Sequence, residues 1–468
     1  MPTTELVSRS GEVLDIAKVR RFEASLRGVL LLPGADGYEA ARRVHNAMID
    51  KRPALIAQCA GVADIVAAVN FARENSLLVA VRGGGHNVAG LGVCDGGIVI
   101  DLSRMKGIRV DPAGASVRAE AGVTWGELDR EAQVFGLGTT GGAVSTTGIA
   151  GLTLGGGLGV LMRKHGLACD NVLSINVVTA DGAILTASAT ENVDLFWALR
   201  GGGGNFGIAT TFDYRLHPVG TVLGGLVLYP FDRAKEMLAF YRELTETAPD
   251  ELTAYAALLT LPDGVRVSAI FACYAGAVAV GETVLRTVRE FGPPMADLIA
   301  PMPYATIQKT FDATAPSGLL NYWKSSFLQT LSMESTDAMV ATYLTAPSPL
   351  TSIVVEHLGG AVGRVGERDT AFGHRRAEYS VTAASLWRQA SESEQNIAWT
   401  RRLWDAIRPR GSDAVYANYM TDDEGDLRVR AAYGANHKRL VAVKNRYDPT
   451  NLFRVNQNIK PTLERDAT

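Results

Sequence analysis

The chain reads Val-Ala-Val-Arg-Gly-Gly-Gly-His-Asn-Val-Ala-Gly over residues 79–90. A strand-forming run stops at three consecutive glycines, and a histidine follows at once. Glycine has no Cβ, so the backbone can approach a bulky anionic group closely. Successive N–H groups in such a turn form a concave anion-binding site. Arg82 adds a charge suited to phosphate. The stretch predicts a phosphate-bearing cofactor whose reactive end extends toward His86.

Length and composition indicate a multidomain globular protein. At 468 residues the chain is too long for one hydrophobic core, and 47% of it is hydrophobic and 20% charged. The net charge is −3, from 46 basic and 49 acidic residues. A nucleic-acid-binding protein needs a basic excess or a basic stripe, so we expect no nucleic-acid partner.

Several features favour a cytoplasmic location. No apolar run reaches the length of a membrane span, so no membrane partner is expected. The first ten residues lack the basic and apolar regions of a signal peptide. The four cysteines form no Cys-x-x-Cys pair, which argues against a zinc site or a disulfide framework. We therefore expect no metal and a reducing compartment.

The pattern of elements divides the chain into three segments. Strands and helices alternate up to a boundary at His217-Pro218-Val219-Gly220, and glycines crowd between Gly83 and Gly207. The next stretch mixes strands and helices and is richer in aromatic residues. From Arg408 onward the chain returns to loops, helices and turns. The predicted segments are 1–216, 217–407 and 408–468.

Two stretches match the dinucleotide-binding pattern G-x-G-x-x-G, at Gly136–Gly141 and Gly202–Gly207. That motif requires a strand before it and a helix after it. Here a helix is predicted before each match, so a nicotinamide-binding Rossmann unit is disfavoured. A third cluster, Gly148–Gly159, is either a tightly packed loop or one of several loops that wrap a long ligand.

Four motifs together resemble the berberine-bridge-enzyme-like flavin oxidases of the vanillyl-alcohol-oxidase (PCMH-type) FAD superfamily, from about residue 50 to 461. They are Val81-Arg-Gly-Gly-Gly-His-Asn87, Gly155-Gly-Gly-Leu-Gly159, Arg163-Lys-His-Gly-Leu-Ala-Cys-Asp-Asn171 and Tyr447-Asp-Pro-Thr-Asn-Leu-Phe-Arg-Val-Asn-Gln-Asn458. The resemblance implies an α+β fold. It implies a PCMH-type FAD-binding domain of two α/β subdomains, expected over residues 1–216 and completed by residues 408–468. The inserted substrate domain, an antiparallel sheet with helices, is expected over residues 217–407.

The resemblance also implies FAD bound covalently through His86. Many relatives add a second bond from a cysteine that lies eleven positions before the triple glycine matching Gly155-Gly-Gly157. This chain has Val144 at that position, so attachment through a single bond is expected. Thr147 stands where relatives carry a residue that governs oxygen access. The expected cofactor-binding residues are Arg82, Gly83, Gly84, Gly85, His86, Asn87, Gly90, Gly122, Gly141, Val144, Thr147, Gly148, Gly151, Gly156, Asp170, Asn171, Ile208, Asn456 and Asn458.

Catalytic candidates come from three stretches. Tyr416 matches a family tyrosine that acts as the base in several members; it could equally be a packed aromatic residue. Glu356 and His357 are neighbours on a predicted strand, so only one of them can face the pocket. Tyr322 is a weaker candidate. A free tyrosine has a pKa of about 10, so Tyr416 as base needs a cationic neighbour or strong hydrogen bonds.

The implied activity is oxidation of a C–H beside oxygen or nitrogen in a small or polycyclic metabolite. A hydride goes to flavin N5, and dioxygen is then reduced to hydrogen peroxide. The open alternatives are a flavin dehydrogenase with another acceptor, a sugar oxidase and a non-catalytic flavin-binding protein. The expected partners are a small-molecule substrate and O2, in a monomer or homodimer.

Overall fold

The computed structural model describes residues 14–408 and 414–462. Residues 1–13, 409–413 and 463–468 lie outside this description. The first ten residues, which lack the features of a signal peptide, fall among them, as do parts of the predicted first and third segments.

Strands occur in both the N-terminal and the central parts of the described chain. Their bounds are β1 Val29–Leu31, β2 Leu55–Gln58, β3 Val79–Arg82, β4 Ile98–Asp101, β5 Ile108–Asp111, β6 Ser116–Glu120, β7 Leu137–Gly138, β8 Val172–Val178, β9 Ile184–Ser188, β10 Ile208–Arg215, β11 His217–Pro218, β12 Thr221–Pro230, β13 Leu252–Thr260, β14 Arg266–Tyr274, β15 Ala296–Asp297, β16 Ala300–Pro303, β17 Leu320–Leu328, β18 Ser352–His357 and β19 Tyr379–Trp387.

Helices connect and cover these strands. Their bounds are α1 Ile16–Ser25, α2 Tyr38–Ala41, α3 Val62–Glu74, α4 Trp125–Gln133, α5 Ile149–Leu154, α6 Met162–His165, α7 Val193–Leu199, α8 Ala234–Glu246, α9 Val278–Glu290, α10 Tyr304–Ile307, α11 Met333–Tyr343, α12 Gly360–Arg364, α13 Ser393–Ile407, α14 Asp426–Tyr433 and α15 His437–Tyr447. Within residues 14–408 and 414–462, no helix is both long enough and apolar enough to cross a bilayer.

The N-terminal part contains two large sheets, and its short strand β7 pairs with β11 in a two-stranded sheet. The first has the strand order β1-β2-β4-β3, in which β4 pairs in parallel with both β2 and β3. The second has the order β5-β6-β10-β8-β9 and is antiparallel. Its β8–β9 hairpin turns at Asp181-Gly182, as the sequence predicts. The predicted capping box at Thr124 and Glu127 opens α4.

The central part is an antiparallel sheet in the order β15-β12-β14-β13-β18-β19-β17, with β16 paired to β12. Side chains alternate across it. Ala256, Ile270 and Val355 face a core formed with α8, α11 and α13. Tyr255 and Phe271 face the opposite way, into a separate core shared with residues 158–169. One face of the sheet is therefore covered by helices, and the other faces the N-terminal part.

The largest hydrophobic core joins the two ends of the chain. It contains residues from Leu14 to Leu216 together with residues from Val415 to Ile459. The predicted architecture, an FAD-type α/β part with an inserted antiparallel sheet and helices, is confirmed. The exact boundaries at 216/217 and 407/408 stay predictions.

Candidate active site

The glycine turn begins where β3 ends, and Arg82 is the last residue of that strand. Arg82 Nε donates to Asp101 Oδ1 at 3.0 Å, and its terminal nitrogens donate to Asp101 and to the carbonyl oxygens of Ala41 and Arg43. This guanidinium is therefore committed to acceptors within the protein. The charge ties the turn to β4 and to the preceding segment, and its service to a phosphate stays a prediction.

Two glycine loops touch backbone to backbone. A Cβ on Gly84 would lie 2.5 Å from the nitrogen of Gly148, and a Cβ on Gly148 would lie 2.5 Å from the nitrogen of Gly84. Gly85 has a φ of +66°, in the left-handed region that favours glycine. The turn after β3 and the loop before α5 thus pack more closely than any residue with a side chain would allow.

A cavity of about 320 Å³ opens beside these loops, within the size range of ligand pockets. Glycine loops, the C-terminal segment and the central sheet line it together. The predicted cofactor residues that line it are Arg82, Gly83, Gly84, Gly85, His86, Asn87, Val144, Thr147, Gly148, Gly151, Ile208 and Asn456.

Asp170 and Asn171 do not line this cavity and hold the chain locally instead. The Asp170 carboxylate accepts two hydrogen bonds from Arg375, both 2.7 Å long, and a third from the backbone N–H of Leu167. The Asn171 amide donates to the carbonyl oxygens of His165 and Leu167. Both side chains have protein partners, and their contact with the cofactor stays a prediction.

Five further predicted cofactor residues also lie outside the cavity lining: Gly90, Gly122, Gly141, Gly156 and Asn458. Packing explains two of these glycines. A Cβ on Gly141 would lie 2.4 Å from the Trp125 ring, and one on Gly122 would lie 1.9 Å from the Leu102 carbonyl oxygen. These two glycines allow close contact between two parts of the protein. A glycine pattern in the sequence does not show whether such a contact is made with protein or with a ligand.

Glu356 faces the cavity and His357 does not, which decides between the two neighbours on β18. Glu356 lies opposite Tyr255 in the sheet register, on the cavity side. Its carboxyl group is buried, and burial raises its pKa to about 7. The Tyr419 hydroxyl donates to Glu356 Oε1 at 3.1 Å. The His357 ring turns to the other side of the strand, 3.1 Å from an Arg163 nitrogen.

Tyr416 lines the cavity, with its hydroxyl oxygen among three donors. The backbone N–H groups of Gly157 and Leu158 donate to it at 2.9 and 3.4 Å, and the Asn418 amide donates at 2.7 Å. Burial nevertheless raises the pKa of Tyr416. The predicted hydrogen bonds are present, but a protonated phenol is the favoured form at neutral pH.

Tyr322 lies outside the cavity lining. Its hydroxyl donates to Asp423 at 2.6 Å and accepts from Arg401. Burial raises the pKa of this phenol as well. The expectation that Tyr322 acts on the substrate is therefore not supported by its position, because its hydroxyl is held in an ion-pair network.

Sequence reasoning missed the buried ion pair that brings the C-terminal segment to the cavity. Lys444 Nζ donates to Asp448 at 2.7 Å and to the carbonyl oxygens of Asn205 and Phe453, both at 2.8 Å. Lys444 and Asp448 are both fully buried. Their i,i+4 spacing is visible in the sequence, but the partner loop at Asn205 is not. This contact places Asn456 beside the glycine loops.

Four cavity-lining side chains carry a buried polar atom that has no hydrogen-bond partner. They are His86 (Nε2), Trp323 (Nε1), Glu356 (Oε2) and Asn456 (Oδ1). Buried polar atoms in native proteins are nearly always satisfied. An apolar cavity with several such atoms is typical of a site for an organic ligand.

Comparison with known proteins supports this description. Residues 53–188 match the family model of the FAD binding domain, and residues 415–460 match the model described as berberine and berberine like. These two matches cover the glycine loops and the C-terminal segment that line the cavity.

Relatives match along nearly the whole chain. An FAD-linked oxidoreductase of Dictyostelium discoideum is 34% identical over 95% of this chain and 97% of its own length. The (R)-6-hydroxynicotine oxidase of Paenarthrobacter nicotinovorans is 30% identical over 93% of this chain and 97% of its own. The crystal structure of 6-hydroxy-D-nicotine oxidase from Arthrobacter nicotinovorans superposes with a TM-score of 0.86 at 29% identity, covering 94% of this chain and 99% of that one.

The fold and the site thus define a flavoprotein oxidoreductase. This chain belongs to the berberine-bridge-enzyme-like family of FAD-linked oxidoreductases. The residues present fit FAD, because glycines with no room for a Cβ border the cavity and His86 and Asn456 present unpartnered polar atoms to it. The loops that contain Gly83, Gly148 and Asn456 would hold the cofactor.

The buried Lys444–Asp448 pair predicts a large stability difference between two lysine variants. Lys444→Met leaves the Asp448 carboxylate buried without its cation, which we expect to cost about 3–5 kcal/mol. Lys460→Met removes a lysine from an exposed pair with Asp426 and should cost less than about 1 kcal/mol. Urea unfolding followed by tryptophan fluorescence measures both. Equal urea midpoints for the two variants would contradict the assignment of Lys444 as the residue that holds the C-terminal segment against the loop at Asn205.

Proposed function

We propose that this enzyme is an oxidase that holds FAD covalently through His86 alone. Its reaction oxidises a C–H bond beside oxygen or nitrogen in a small molecule and produces hydrogen peroxide from dioxygen. The observation that carries the proposal is the placement of His86 and of Glu356, Tyr416 and Tyr419 around one cavity. FAD, when bound, supplies the hydride acceptor and the route of electrons to dioxygen.

His86 suits covalent attachment because its ring is neutral. Burial lowers its pKa to about 3, so a ring nitrogen keeps its lone pair at neutral pH. Val144 lines the same cavity and has no nucleophilic atom, which supports a single bond to the protein.

Glu356 is the best placed proton acceptor for the substrate O–H or N–H. One carboxylate oxygen accepts from Tyr419, and the other is buried with no partner. A pKa near 7 leaves a substantial fraction ionised at neutral pH. Tyr416, with a raised pKa, serves in this proposal as a neutral hydrogen-bond donor that orients the substrate.

The substrate class follows from the cavity lining. Trp323, Tyr416 and Tyr419 offer aromatic surface, and Glu356 is the one carboxyl group among the described lining residues. This combination favours a flat or apolar molecule with one amine or hydroxyl group. The name of the 6-hydroxynicotine oxidase relative supports 6-hydroxynicotine as the first substrate to test.

The covalent link predicts a simple test with a matched control. After acid precipitation, the wild-type protein should stay yellow and its intact mass should include FAD, whereas His86→Ala should release all its flavin. His165→Ala is the control, because His165 also stacks on another histidine, His217, at 3.8 Å but lies outside the cavity lining. Acid-stable flavin in His86→Ala would refute the attachment.

The role of Glu356 predicts a pH dependence. Because the ionised carboxyl accepts the proton, kcat/KM should fall as the pH drops below about 7. Glu356→Gln should lose about 100-fold in kcat/KM and should lose this acidic limb. Peroxide release with a panel of amines, alcohols and oligosaccharides measures both. An unchanged acidic limb in Glu356→Gln would assign the base elsewhere.

Thr147 lines the cavity, and the family resemblance implies that this position governs oxygen access. Thr147→Leu adds bulk there and should slow reoxidation of the substrate-reduced enzyme by about tenfold, a barrier of roughly 1.4 kcal/mol. Thr147→Val, of similar size, should react like the wild type. Anaerobic reduction followed by stopped-flow mixing with air measures the rate. Reoxidation of the wild type over many minutes would favour a dehydrogenase instead.

A further inference from the structure

His45 forms a stacked pair with the proposed attachment residue. The two imidazole rings lie 3.8 Å apart between centroids, with 22° between their planes. His45 is buried and lies in the segment between α2 and β2, about forty positions before His86. No motif of the glycine turn includes this residue, and the function described above gives it no role.

Both the backbone and the ring of His45 are fixed. Its backbone N–H donates at 2.9 Å to the carbonyl oxygen of Gly85, the residue directly before His86. Its ring nitrogen Nδ1 lies 3.1 Å from the Ser317 hydroxyl, and its carbonyl oxygen accepts from the N–H of Gly318. His45 is thus held by the loop that precedes β17, and it in turn contacts the turn that carries His86.

The next residue anchors the same segment. The Asn46 amide donates to the carbonyl oxygens of Val88 and Asn321, at 2.7 and 3.0 Å. Asn46 also accepts from the backbone N–H of Asn321. The segment is therefore bound on one side to the glycine turn and on the other to β17, so the position of the His45 ring does not depend on its own side-chain contacts alone.

The stack covers one face of the His86 ring, while the His86 side chain lines the cavity. Two charged imidazolium rings at 3.8 Å would repel each other. Burial also lowers the pKa of both histidines. Both rings of the pair are thus neutral, and their stacking restricts rotation of the His86 ring. The stack does not use His86 Nε2, which has no hydrogen-bond partner in the protein.

We propose that His45 is a positioning residue for covalent attachment of the flavin: its ring holds the His86 imidazole in the one orientation from which a ring nitrogen reaches the cofactor. This inference rests on the proposed attachment at His86. In that reaction the imidazole N–H bond and one C–H bond of the flavin 8α-methyl break, and an N–C bond forms. Two electrons and two protons end on dioxygen as hydrogen peroxide.

Three substitutions of His45 separate orientation from bulk. His45→Phe keeps a flat ring, His45→Leu keeps bulk without a flat ring, and His45→Ala removes both. Full-length protein produced under riboflavin limitation is mixed with FAD in air. Intact mass and the flavin fluorescence of the denatured protein then follow covalent incorporation with time. Quenching of FAD fluorescence reports non-covalent binding separately.

We expect His45→Ala and His45→Leu to incorporate FAD covalently about tenfold more slowly than the wild type, because the nucleophile is no longer preoriented. His45→Phe should stay within about threefold of the wild type, and non-covalent binding should be similar in all of them. Equal rates for His45→Ala and the wild type, or equal rates for His45→Leu and His45→Phe, would overturn the inference.

Two controls keep the outcomes distinguishable. A wild-type protein that never gains acid-stable flavin would refute the attachment at His86 rather than the role of His45. Ser317→Ala keeps the His45 side chain but removes the hydroxyl beside its Nδ1 that fixes the rotation of the ring, so it serves if the His45 variants do not fold. Slower covalent incorporation in Ser317→Ala, with unchanged FAD quenching, supports the positioning role; an unchanged rate in that variant contradicts it.

Discussion

The direct backbone contact between the glycine turn after β3 and the loop before α5 is the constraint on which the site depends. Gly84 and Gly148 approach so closely that a Cβ on either would lie 2.5 Å from the nitrogen of the other. In one loop His86 follows Gly84 by two positions, and in the other Thr147 directly precedes Gly148, the residue before α5. Any side chain at the contact would separate the loops and widen the cavity that they border.

Charge is used in two different ways in this protein. Arg82 pairs with Asp101 on the neighbouring strand, and Lys444 pairs with Asp448 four positions further on while it also donates to the distant carbonyl oxygen of Asn205. Glu356 is a buried carboxyl with no cationic partner among the contacts described above, and its raised pKa reflects that burial. A buried group of this kind costs free energy of folding unless it is paired. Such groups concentrate at functional sites, which is why Glu356 is proposed as the reactive one.

The sequence was informative wherever function depends on local backbone geometry. The strand–glycine–histidine turn, the capping box at Thr124 and the hairpin at Asp181 all lie where their patterns predict. The two G-x-G-x-x-G stretches follow helices rather than strands, so their interpretation as non-Rossmann loops agrees with the structure. Assignment of individual contacts was weaker. Gly122 and Gly141 pack on protein atoms, and Asp170 is held by Arg375, although each belongs to a glycine-rich or motif segment.

By itself the sequence indicated the turn that carries His86, because that turn depends on residue types within a few positions of one another. The class of fold and the cofactor followed from the family resemblance of four motifs spread along the chain. Only the tertiary structure decided that Glu356 rather than His357 faces the cavity, that the Arg82 charge is internal, and that His45 stacks on His86. The physical reason is distance along the chain: His45 and Ser317 are separated by 272 positions, and no local pattern encodes which of many buried side chains will meet across such an interval.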